Sequence, residues 1–106
     1  MTWFRDWIAM FDCRRRIAGQ KEVKYLVVAD CAESAISFRE YMNLDARLCA
    51  YVGSADQLKT AKRETVILLE GWTSRADQDD IFFELQQLVY GETLVLSGRE
   101  FIERMN

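Results

Sequence analysis

The chain has 106 residues, half of them hydrophobic, with a net charge of −3 and neither histidine nor proline. That size fits one domain able to bury roughly two-thirds of its unfolded surface, and its aromatic and branched content excludes intrinsic disorder. With no histidine, the Ser-His-Asp triad, the Cys-His dyad, phosphohistidine chemistry and His-ligated metals are all excluded.

Residues 1–20, beginning MTWFRDWIAMFDCRRR, predict an amphipathic helix. Trp3, Trp7, Met10 and Phe11 share one side at helical spacing, and Phe4 and Ile8 widen it. Arg14, Arg15 and Arg16 follow, where a helix end favours cations. Three readings stand side by side. The helix packs on a sheet face that the other helices leave open. It binds a protein partner or a second copy through Trp3, Phe4, Trp7 and Phe11. Or it lies on a membrane surface as a basic amphipathic anchor. Arg5, Asp6 and Asp12 interrupt the first apolar stretch, so no secretory signal is expected, and no run approaches the about 18 apolar residues of a membrane span.

Charge divides along the chain. In residues 1–21, Arg5, Arg14, Arg15, Arg16 and Lys21 outnumber Asp6 and Asp12, giving +3, so the remainder carries −6. An acidic body repels phosphate backbones, which argues against nucleic acid as a partner. Cys13, Cys31 and Cys49 form neither a CxxC nor an even set, and are expected to be free thiols in a reducing cytoplasm.

From residue 22 to 106 the pattern alternates between two periods. Residues 23–29, 46–52, 65–70 and 93–97 are short, branched apolar runs suited to central strands. Between and after them, residues 32–43, 55–62, 78–90 and 98–105 read as helices. Ala35, Phe38 and Met42, with Ile36 beside them, form the apolar face of the first. Ile81, Phe82, Leu85, Leu88 and Val89 form that of the third. Three strand-to-helix junctions have capping-box spacing: Asp30 with Glu33, Ser54 with Gln57, and Ser97 with Glu100. Ser74 or Asp77 is available to cap the helix over 78–90.

Strands joined by helices imply parallel pairing with right-handed crossovers. The expected fold is therefore α/β, a three-layer Rossmann-like or flavodoxin-like domain. Its four mostly parallel strands run in the order 2-1-3-4, and the N-terminal helix is added to it. The short link near residues 90–92 leaves an antiparallel edge strand as the alternative.

In such a sheet the carboxyl ends of the strands make a common rim, and helix N-termini facing it suit an anion. Asp30, Ser54, Glu70, Trp72, Arg75, Ser97 and Arg99 are the candidate ligand-binding residues there. Asp30, Ser54 and Ser97 are equally readable as helix caps, and Trp72 as cover for the core edge. Cys31 lacks a base for nucleophilic work. Neither GxxxxGK[ST] nor GxGxxG occurs, which argues against classical nucleotide hydrolysis and dinucleotide binding. No cofactor is implied. Asp77, Asp79 and Asp80 on successive helical positions point in different directions and make no metal site.

The layout of Val27 to Asp30, Ala35 and Phe38, then Tyr51, Val52, Ser54 and Leu58, then Thr65, Val66, Leu68, Gly71 and Trp72, resembles small, uncharacterised Rossmann-like proteins encoded by bacteriophages. The resemblance covers about residues 25–85 and implies a compact α/β accessory protein with no reaction of its own. VILLEG also resembles the first motif of toprim nucleases and primases, but the Asp-x-Asp expected after a later strand is replaced by LSGRE. The leading expectation is a non-catalytic binding protein acting on a protein partner. The alternatives are a binder of a small anionic ligand or nucleotide at the rim, and a Mg²⁺-dependent phosphoesterase using Asp30 and Glu70.

Overall fold

The computed structural model describes residues 23–61 and 63–105. The helix read over residues 1–20, and with it Trp3, Phe4, Trp7 and Phe11, lies outside these residues.

Four strands are described: β1 (Tyr25–Val28), β2 (Cys49–Tyr51), β3 (Thr65–Leu68) and β4 (Val95–Ser97). They form one sheet in the order β2-β1-β3-β4. Every neighbouring pair is parallel, with Leu26 opposite Ala50 and Val66, and Ile67 opposite Leu96. The 2-1-3-4 order and the α/β class thus match the sequence reading. Four helices connect and flank the strands: α1 (Ala32–Tyr41), α2 (Asp56–Lys59), α3 (Gln78–Tyr90) and α4 (Gly98–Met105). The reading had made the strands too long. Residues 46–48 turn as a 3-10 helix because the Asp45 side chain accepts from the Arg47 N–H at 2.8 Å and bends the chain before β2.

The core follows from strand alternation. Leu26, Val28 and Val66 face one side and pack with Val52, Leu58, Ile81, Leu85 and Leu88. That side carries α2 and α3. Val27 and Ala29 face the other and meet Ala35, while Ile67 and Leu96 meet Phe101, backed by Phe38. That side carries α1 and α4. Both faces therefore carry helices, and each buried Val, Leu or Ile contributes about 1.5–3 kcal/mol.

The link into β4 is short yet leaves β4 parallel, which rules out the antiparallel alternative. The chain turns in a Schellman motif: the Thr93 N–H bonds the Leu88 carbonyl at 2.9 Å and the Glu92 N–H bonds the Val89 carbonyl at 3.0 Å. The α1 end repeats it, with Leu44 bonding Arg39 and Asn43 bonding Glu40. The left-handed residue is Asn43 at φ 56° in one and Glu92 at φ 66° in the other. Asn tolerates that conformation, whereas Glu does not, and Gly91 sits one position too early to relieve it. Glu92→Gly is expected to raise stability by about 1 kcal/mol, read as a higher urea midpoint at unchanged slope.

Candidate functional site

Parallel pairing brings the strand ends to one rim. Val28 lies opposite Leu68, so Asp30 and Glu70, each two residues further on, leave the sheet side by side. Gly71 adopts φ 98°, and a Cβ there would stand 3.6 Å from the Asp30 Cβ. A side chain is strained in that conformation, so glycine is what lets β3 turn beside Asp30. Asp30 and Glu70 are both exposed. The Ser34 hydroxyl hydrogen-bonds Asp30 and holds its carboxyl below the usual carboxylate range.

Asp30 does not cap α1 as its spacing suggested. Cys31 occupies the N-cap position in extended backbone, and no side chain caps the helix there. The Cys31 Sγ lies 3.5 Å from the Ser34 Oγ. The helix begins one residue later than the box required, which leaves Asp30 free of the backbone and aimed at Ser34.

Arg75 is the organising residue of the rim. Its Nη1 donates to the Ala29 carbonyl at 3.1 Å and the Val52 carbonyl at 2.7 Å. Its Nη2 donates to the Gly53 carbonyl at 2.9 Å and to Asp77 Oδ2 at 3.1 Å, and Nε to Asp77 Oδ1 at 3.0 Å. Arginine has five N–H donors, and these contacts use all of them. The guanidinium also lies 5.6 Å from the Tyr51 ring centroid, and the side chain is only 8% exposed. The sequence reading took Arg75 as a cation for an incoming anion. Its donors are instead spent on the ends of β1 and β2, so it ties these strands to the turn after β3. Asp77, at the α3 N-cap position, gives its oxygens to Arg75 and caps nothing. Ser74 likewise bonds the Gly71 carbonyl at 2.8 Å.

The other candidates divide in the same way. Ser97 and Glu100 form the reciprocal box that the spacing predicted: the Ser97 N–H donates to Glu100 Oε1 at 2.8 Å and the Glu100 N–H to Ser97 Oγ at 3.1 Å. These bonds hold the Glu100 carboxyl below its usual range, the Ser97 N–H being the larger cause. At Ser54 only the return half forms. Gln57 Oε1 accepts from the Gly53 N–H and from the Ser54 N–H, the latter at 3.1 Å, while Gln57 Nε2 donates to the Tyr51 carbonyl at 3.3 Å. Trp72 is half-buried and packs against the core that α2 and α3 cover. Arg99 is exposed in the first turn of α4. The rim therefore gathers the predicted residues, and most of their polar groups are satisfied within the chain. Among the described residues, no group of three or more Cys, Asp or Glu side chains converges to hold a metal ion.

A second surface was missed. On α3, Phe82, Phe83, Val89 and Tyr90 are exposed at 54%, 57%, 58% and 90%. Phe82 and Val89 had been assigned to the buried face. Ile81, Leu85 and Leu88 alone fill the arc against the sheet, and the two neighbours fall beyond its edge. Helical spacing places Phe82, Val89, Tyr90 and Phe83 on one stripe with Gln86 among them. Asp79, Asp80 and Glu84 are the charged residues of α3, and all are acidic. Between α2 and α3 a groove of about 270 Å³ is lined by Asp56, Lys59, Asp80, Phe83 and Glu84. The signal in the sequence was the excess itself: five large apolar residues assigned to one face of a helix are more than one sheet contact covers.

A smaller cavity of about 70 Å³ lies under α1, lined by Val27, Ala35, Arg39, Cys49 and Tyr51. Burial there pushes the Cys49 thiol up, which keeps it protonated and unreactive. No helix among the described residues is long and apolar enough to cross a membrane. No protein-family model, curated protein or solved structure matches the chain.

Proposed function

We propose that this chain is a non-catalytic binding protein, an accessory factor of the bacteriophage type, that acts by contact with a protein partner. The exposed face of α3 is the observation that carries the proposal. Phe82, Phe83, Val89 and Tyr90 make an aromatic-rich patch of the kind that anchors interface centres. The acids around it select a partner presenting a basic, apolar helix. The phage origin is supported by the resemblance of residues 25–85. The anionic-ligand alternative is weakened because Arg75 has no donor left and Ser97 and Gln57 serve their own backbone. Of the cations proposed for it, only Arg99 stays exposed at the rim.

The test uses the full chain. A partner captured and identified is purified and titrated against the parent, Phe82→Asp/Val89→Asp and Asp30→Asn/Glu70→Gln. The α3 double variant is expected to bind at least tenfold more weakly, about 1.4 kcal/mol, with the rim variant unchanged. Loss of binding in the rim variant alone, or a nucleotide that raises the melting temperature, would favour the rim instead.

A further inference from the structure

We infer that residues 1–21 of this same chain are the resident occupant of the α3 face, so that an outside partner binds by displacing them. The inference rests on the reading of α3 as the binding surface and adds its regulation. The chain enters the described residues at Val23, which packs on the cluster containing Leu85 and Leu88 of α3. The preceding residues therefore arrive on the α3 side of the sheet. They arrive at the correct end as well. Helix α3 runs back toward the start of β4, and parallel pairing puts that start level with the start of β1. The α3 end nearest the entering chain carries Val89 and Tyr90.

Length, charge and apolar spacing agree with that placement. At about 1.5 Å per residue, 18 helical residues would span roughly 27 Å, more than the roughly 20 Å of α3. Residues 1–21 carry +3. Asp79, Asp80 and Glu84 of α3, with Asp56 across the groove, offer the opposite charge. Trp3, Trp7, Met10 and Phe11 recur at the spacing of one helix stripe, as do Phe82, Val89 and Tyr90. Both sheet faces already carry helices, so the face left for an aromatic helix is on the outside of α3.

The chain has three tryptophans, Trp3, Trp7 and Trp72. In full-length Trp72→Phe, fluorescence comes from Trp3 and Trp7 alone. The expected emission is blue-shifted, poorly quenched by acrylamide and independent of protein concentration. Adding Phe82→Asp/Val89→Asp is expected to move it to the red and to raise quenching several-fold, with far-UV circular dichroism showing the strands intact. If Trp72→Phe fails to fold, the difference spectrum between the parent and Trp3→Phe/Trp7→Phe gives the same reading. Solvent-exposed emission before any α3 change, or emission indifferent to the α3 substitutions, overturns the inference. Concentration-dependent emission also overturns it, assigning the face to a second copy. Where the emission is indifferent but partner affinity still depends on Phe82 and Val89, occupancy by residues 1–21 fails and the binding surface stands. Where the emission responds but no partner affinity depends on α3, the reverse holds.

Discussion

Arg75→Met is expected to lower stability by about 3 kcal/mol, the range found when one member of a buried, hydrogen-bonded charge pair is removed. Methionine matches the length of the side chain and supplies no donor. The carbonyls of Ala29, Val52 and Gly53 then lose their shared partner, and the Asp77 carboxylate loses its fork. For a domain of this size the melting temperature should fall by roughly 10–15 °C. Arg75→Lys should recover only part of this, since an ammonium is a point charge that cannot reach two strands and a carboxylate in one plane. Asp77→Asn should cost less than either, because it leaves the three carbonyl contacts in place. A change below about 1 kcal/mol in Arg75→Met would mean that water replaces the guanidinium without loss.

Leu58→Ala should be comparably damaging, by about 3 kcal/mol, and for a different reason. Helix α2 is four residues long. A helix that short has no stability of its own in water. Leu58 is fully buried among Val28, Val52 and Ile81, and it is the one buried residue of α2. Truncation leaves a cavity and releases the segment that forms one wall of the groove beside Phe83. Leu58→Met keeps the volume and should cost under about 1.5 kcal/mol. Denaturant unfolding of both variants reads the difference, and equal losses would show that the anchor is not a matter of volume.

The fold was legible because its local cues agree with one another. Four branched runs are short enough for strands, too few residues separate them for anything but single helices, and capping spacings mark the junctions. Ser97 with Glu100 shows the cue at full strength, since both halves of the box form. Asp30 shows its limit. One residue of shift in where α1 begins turned an expected cap into a carboxylate paired with Ser34.

The site was less legible, because its decisive contacts are long-range. Nothing near Arg75 in the chain announces that it will reach carbonyls 22 to 46 residues away. A cation at the mouth of a parallel sheet reads as an anion ligand until the backbone carbonyls it serves are known. Helix α3 hid its exposed face for a related reason. Periodicity shows which residues share a side of the helix, but how wide an arc is buried depends on the neighbours. The stripe of Phe82, Phe83, Val89 and Tyr90 became a surface only once Ile81, Leu85 and Leu88 were seen to complete the sheet contact.

Residue-level mapping of the partner complex tests the central claim most directly. With the isotopically labelled full chain and a purified partner, amide chemical-shift changes should concentrate between Asp79 and Tyr90 and along the facing groove at Asp56 and Lys59. Asp30, Glu70, Ser97 and Arg99 should stay unmoved. Shifts gathered at those strand ends, with α3 silent, would contradict the account.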